Sequence, residues 1–139
     1  KSRMRVRAEK IYPIDVALMD SRPNAFMGDN LGWRLETVVC IELMRRNRYK
    51  FCDIYYYKST GGYEADFVVC KDNVVREVYQ VSYDITSEKT RKREIRGLLA
   101  ASKETRCDNL YLITDSHREE VVVENKVIHI LPAYEWLIE

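Results

Sequence analysis

At 139 residues the chain fits one compact domain, long enough to bury about two-thirds of the surface that its unfolded form would expose. Its 32% charged and 46% hydrophobic residues exclude the low-hydrophobicity, high-charge composition of a disordered chain. A net charge of +1 leaves nucleic-acid binding open, because acids elsewhere can cancel a local basic face in the total.

The first residues, Lys1-Ser-Arg-Met-Arg-Val-Arg7, lead into a charged stretch rather than a signal-peptide core. No run approaches the roughly 18 apolar residues that a membrane-spanning helix needs. A cytoplasmic protein with no membrane partner is expected. Because the chain begins at Lys1 and its first methionine is Met4, it is expected to be the C-terminal part of something longer. Residues 1–30 open basic, carry one short apolar segment, Lys10 to Met19, and pass through turn-prone Ser21-Arg-Pro-Asn24 and Met27-Gly-Asp-Asn30. A strand or short helix followed by a loop is expected there.

Leu31 to Arg46 is apolar on more than one face and basic in its last turn, which predicts a largely buried helix. Phe51 to Lys58 is aromatic and β-branched and runs into Ser59-Thr-Gly-Gly62, so a strand entering a turn is expected. Strands over Tyr63–Cys70 and Val74–Tyr83 follow, joined by Lys71-Asp-Asn73, and connections this short predict an antiparallel meander. Thr86 or Ser87 can cap a helix to about Lys103, with Ile95, Leu98, Leu99 and Ser102 at helical spacing. Asn109 to Asp115 reads as a strand covered on both sides, Val121–Glu124 and Val127–Leu131 as a hairpin, and Pro132 onward as a terminal helix. This order predicts an α/β sandwich around a mixed sheet.

The four cysteines, Cys40, Cys52, Cys70 and Cys107, form no C-x-x-C pair and sit in apolar or strand-like settings, so buried reduced thiols are expected rather than a zinc site. His117 and His129 have no carboxylate or cysteine at metal spacing and receive no role. No Gly-rich phosphate loop occurs, so this chain binds no ATP through a Walker motif.

Several positions carry a functional reading beside a structural one. Glu36 shares a helix face with Val39, Cys40 and Leu43, where it is either an acid favoured by the helix dipole or a group with a ligand. Asp66 lies inside a strand, where alternation puts it with Glu64 and Val68 as an edge acid paired to a lysine or as a site residue. Gln80, Ser82 and Asp84 form a polar row on the next strand, opposite Tyr79, Val81 and Tyr83. The segment Lys89-Thr-Arg-Lys-Arg-Glu-Ile-Arg96 sets five cations against one acid. Lys89, Lys92 or Arg93, and Arg96 share a side suited either to phosphates or to solvent.

A helix glutamate, a second-strand aspartate, a Glu/Gln-x-Lys on the third strand and a basic helix after it resemble the PD-(D/E)XK, or restriction endonuclease-like, nuclease superfamily. The stretches Gly32-Trp-Arg-Leu-Glu-Thr-Val-Val39, Tyr55 to Val68 and Tyr79-Gln-Val-Ser-Tyr-Asp-Ile85 are similar to the C-terminal domain of unknown function that follows the ATPase module in many archaeal and bacterial AAA+ proteins. Ile11 to Leu18 and Leu131 to Leu137 resemble that family's flanking pieces.

The resemblance implies one nuclease-like domain over 1–139, with its core at about 31–115 and an α-β-β-β-α-β order, attached to an ATPase module that would carry any ATP. It implies Mg²⁺ held by Asp66, by the Gln80 oxygen and by the Val81 carbonyl, with Glu36 orienting or ligating. It also puts Ser82 where the lysine belongs. Serine supplies no cation for the developing charge, and one such loss costs about a hundred- to a thousand-fold in rate. Rescue could come from Lys58 on the neighbouring strand, or from Lys89, Lys92 or Arg93 on the helix, and Asp84 could replace the missing acid. Three readings stay open: a nucleic-acid- or partner-binding accessory domain with a degenerate metal site, an active Mg²⁺-dependent nuclease with a relocated lysine, and a protein-interaction module.

Overall fold

The computed structural model describes Lys10, residues 12–15 and residues 30–139. The elements run α1 (Leu31–Asn47), β1 (Asp53–Lys58), β2 (Glu64–Lys71), β3 (Val74–Val81), α2 (Glu88–Thr105), β4 (Leu110–Thr114), β5 (Glu119–Val123), β6 (Lys126–Pro132) and α3 (Ala133–Ile138). The six strands form one sheet in the order β1-β2-β3-β4-β6-β5. β1, β2 and β3 are the expected antiparallel meander. β4 runs parallel to β3 after the α2 crossover, β6 runs parallel to β4, and β5 closes the edge antiparallel to β6. The fold is an α/β sandwich on a mixed sheet, and the α-β-β-β-α-β order stands as expected.

Lys10 and residues 12–15 are neither helix nor strand, and the rest of the expected segment to Met19 and the turns up to Asp29 lie outside the described residues. No helix among the described residues is long and apolar enough to cross a membrane.

Two cores form because β2, β3 and β4 send apolar side chains both ways. Leu98 and Ala101 of α2 pack with Val68, Val78, Leu110, Leu112, Ile128 and Ile130 on one face. Val39 and Leu43 of α1 pack with Phe67, Val69, Tyr79, Ile113 and Trp136 on the other. Each fully buried aliphatic side chain contributes about 1.5–3 kcal/mol. Of the cysteines, Cys40 and Cys107 are buried, while Cys52 and Cys70 are only partly so.

β3 stops at Val81 rather than Tyr83. Beyond it the Ser82 hydroxyl donates to the Asp84 carbonyl at 3.3 Å, and the Asp84 carboxylate accepts the Thr86 N–H at 2.7 Å. This local turn competes with the ladder and takes Asp84 off the strand. Ser87 is the α2 N-cap by position, but its side chain makes no capping bond.

Two close fits fix the helices. Glu42 is buried on α1 and accepts from Arg45 at 2.7 Å and from Arg46 at 2.7 Å. Arg46 also stacks on the Trp136 ring at 4.3 Å and donates to the Trp136 carbonyl, which ties α1 to α3. The hydrogen bonds from Arg45 and then Arg46 outweigh burial and hold the Glu42 carboxyl down at about 2. On the opposite face, Gly97 lets α2 approach the β2 backbone so closely that a Cβ there would lie 2.3 Å from the Glu64 carbonyl oxygen.

Because the folded Glu42 pKa lies below its unfolded value, its contribution is complete above about pH 4.5 and fades as pH falls towards 2. Glu42→Gln should therefore cost about 2 kcal/mol at pH 7 and flatten the acid limb of the stability curve, as read by urea melts between pH 2 and 7. Gly97→Ala should cost about 1–3 kcal/mol in the same assay, since backbone must shift to admit the methyl.

Candidate functional site

The site grows from a defect in the sheet. On β1, Tyr55 faces Val68 and Tyr57 faces Ala65, so Asp66 and Phe67 together oppose Tyr56. That two-against-one count is a β-bulge, a device that re-aims side chains. It breaks the simple alternation expected around Asp66: Ala65 joins the α2-side core and Phe67 the α1-side core.

The β2–β3 backbone ladder also ends here, at Phe67 opposite Tyr79. Side chains make the next rungs. The Asp66 N–H donates to Gln80 Oε1 at 2.9 Å, and the Val81 N–H donates to Asp66 Oδ2 at 2.9 Å. Both backbone donors are thus satisfied without a strand partner.

The other Asp66 oxygen, Oδ1, accepts from Lys10 Nζ at 2.8 Å. The same ammonium donates to Glu36 Oε1 at 2.8 Å and lies 4.6 Å from the centre of the Tyr56 ring. Tyr12, two residues along, donates its hydroxyl to Glu36 Oε1 at 2.6 Å and packs its ring on Phe67 at 5.7 Å. Burial, followed by the Glu36 charge, pushes the Asp66 carboxyl up to about 6, against the pull of Lys10 and the Val81 N–H. Burial opposes the Lys10 charge, but Asp66 and Glu36 outweigh it and raise the ammonium's pKa above its ordinary value. Burial, then the Glu36 hydrogen bond, raises that of the Tyr12 hydroxyl.

Gln80 connects this cluster to α2. Its Nε2 donates to Glu94, which is buried and whose other oxygen accepts from Arg93. Lys58 pairs with Glu64 at 2.9 Å on the surface. Lys89, Lys92, Arg93 and Arg96 are exposed on α2, with Lys92 on Glu88 at 3.1 Å. His117 lies 3.0 Å from Glu119, and His129 lies 2.9 Å from Glu120.

Glu36, Asp66, Gln80 and Val81 lie together in the structure, joined by Lys10, Tyr12, Tyr56 and Glu94, which the sequence does not single out. For Glu94 a signal exists: Gly97, Leu98 and Ala101 follow at spacings of three, four and seven, the pattern that singled out Glu36. For Lys10 and Tyr12 the only local hint is that residues two apart share a side in extended chain.

A family model matches residues 31–136, from the first residue of α1 to Trp136 in α3. The chain belongs to that family, Domain of unknown function (DUF4143). No curated protein matches the chain. The DUF4143 match contains both acids, Gln80 and Glu94, while Lys10 and Tyr12 precede it.

A folded carboxyl held above its unfolded pKa contributes stability that is present below about pH 4 and lost as pH rises through about 6. Asp66→Asn should remove that slope from the stability curve. Since Lys10 pulls the Asp66 midpoint down, Lys10→Met should move it above 6, as followed by ¹³C NMR of the side-chain carboxyl.

Proposed function

We propose that this chain is a nuclease-like accessory domain of a AAA+ ATPase that binds nucleic acid and does not cut it. The observation that carries the reading is the Lys10 ammonium lodged between Glu36 and Asp66, where the nuclease pattern needs a divalent ion. The order of elements, the hairpin that sets Asp66 beside Gln80, and the basic start of α2 support the restriction endonuclease-like part. Serine at position 82, its hydroxyl on the Asp84 carbonyl, supports loss of the catalytic cation.

Mg²⁺ is hard and strongly hydrated and takes about six oxygen ligands at about 2.0–2.1 Å. The residues that would hold it do not fit a resident ion. Lys10 Nζ stands 2.8 Å from both Glu36 Oε1 and Asp66 Oδ1, so a divalent ion between the acids would meet a like charge, and Asp66 Oδ2 and Gln80 Oε1 each already accept a backbone N–H. Gln80 also brings no negative charge.

Binding falls instead to the exposed cations Lys89, Lys92, Arg93 and Arg96, which line the helix that Gln80 and Glu94 anchor above the acids. Spread along one helix side, they suit a phosphate backbone. Any ATP belongs to the ATPase module.

Plasmid and branched-DNA substrates with Mg²⁺ or Mn²⁺ test the reading. No cleavage is expected from the wild type, together with DNA binding that weakens with salt and survives Asp66→Ala. Lys92→Ala and Arg96→Ala should each lower the salt slope by about 1. Metal-dependent cutting abolished by Asp66→Ala would sink the non-cutting reading in favour of an active nuclease, for which Lys10 is the cation nearest the acids among the described residues. No DNA affinity at low salt would leave a protein-interaction module.

A further inference from the structure

We infer that Glu36, Asp66 and Tyr56 form a binding site for a primary ammonium group, and that Lys10 is its ligand, latching the N-terminal segment to the sheet. The inference rests on the reading above that no metal resides between the two acids. A lysine ammonium has three N–H donors, and here each has a receiver: Glu36 Oε1 at 2.8 Å, Asp66 Oδ1 at 2.8 Å and the Tyr56 ring at 4.6 Å.

An aromatic face suits an organic cation, whereas it gives a hard metal ion no ligand. The surroundings hold the receivers still. Glu36 is held by Tyr12, and Asp66 is held by the Val81 N–H. Lys10 reaches Glu36 across 26 positions of sequence and Asp66 across 56, so these contacts do not arise from neighbouring residues within one element. Tyr12 adds an apolar contact with Phe67 beside the ammonium, so the segment is fixed at two points.

Chemical rescue in the full chain tests the site. Lys10→Ala should lower Tm. A small alkylammonium ion, n-propylammonium, should restore about 3–5 °C in a saturable way at concentrations about tenfold above its Kd, relative to NaCl of equal ionic strength. The wild type should show no such gain. Tyr56→Leu in the Lys10→Ala background should weaken propylammonium binding several-fold while leaving both acids in place. A direct readout covers the case in which Lys10→Ala folds poorly: in the wild type, the Lys10 ammonium should give a slowly exchanging ¹H–¹⁵N signal that Tyr56→Leu broadens.

Two results would overturn the inference: no saturable rescue with a freely exchanging Lys10 ammonium, or Mg²⁺ stabilising Lys10→Ala more than propylammonium does. The second result would make the acids a divalent-cation site plugged by a lysine. Failure of the non-cutting reading registers separately, as cleavage by the wild type that Asp66→Ala abolishes.

Discussion

The bulge at Asp66 is the constraint on which the site depends. Where backbone pairing between β2 and β3 stops, two amide donors need acceptors, and leaving either buried and unpaired would cost about 1–3 kcal/mol. Gln80 answers one and Asp66 the other. The residues that look like a catalytic row therefore also finish the sheet. The two outer groups of this pair reach in opposite directions: Asp66 through Lys10 to Glu36 of α1, and Gln80 to Glu94 of α2. One irregular rung links both helix layers. Gly97 belongs to the same arrangement, because its bare Cα lets α2 lie close enough for Glu94 to meet Gln80.

The two buried acid systems obey one rule with opposite results. Glu42 has two guanidinium groups, and their hydrogen bonds hold its carboxyl at about 2. Asp66 shares a single ammonium with Glu36, and burial together with that second acid holds its carboxyl at about 6. Burial, then the second acid, raises the pKa of Asp66, and the paired guanidinium groups lower that of Glu42. A site with more acid than cation keeps an appetite for positive charge, and this is the site that faces the N-terminal segment.

Periodicity carried the fold well because each element states its own period. The aromatic run at β1, the short turns on either side of β2 and the stripe through Leu98 and Ser102 are local signals, and tertiary packing agrees with them. The misses have local causes too. β3 ends early because Asp84 offers the chain a turn. Asp66 departs from alternation because an extra residue enters β2, and nothing in the composition of that strand marks where. Glu94 passed as a lone acid diluting a basic helix, although its spacing to Gly97, Leu98 and Ala101 puts it on the buried stripe. Lys10 was not legible at all. Its partners come from a helix and a strand, and no period links the three.

Ser82 now has a different meaning. At the sequence level it marks a missing cation, to be replaced from β1 or α2. The cation bonded to the acids comes from neither: Lys58 spends its charge on Glu64, Arg93 pairs with Glu94, and Lys10 arrives from the chain before α1. A lysine fixed on β3 would stand beside Asp66 whatever the rest of the chain did. A lysine carried by the N-terminal segment stands there only while that segment is docked, held by Tyr12 on Phe67 and by its own ion pairs. The charge balance at the two acids thus includes a cation that β3 does not carry.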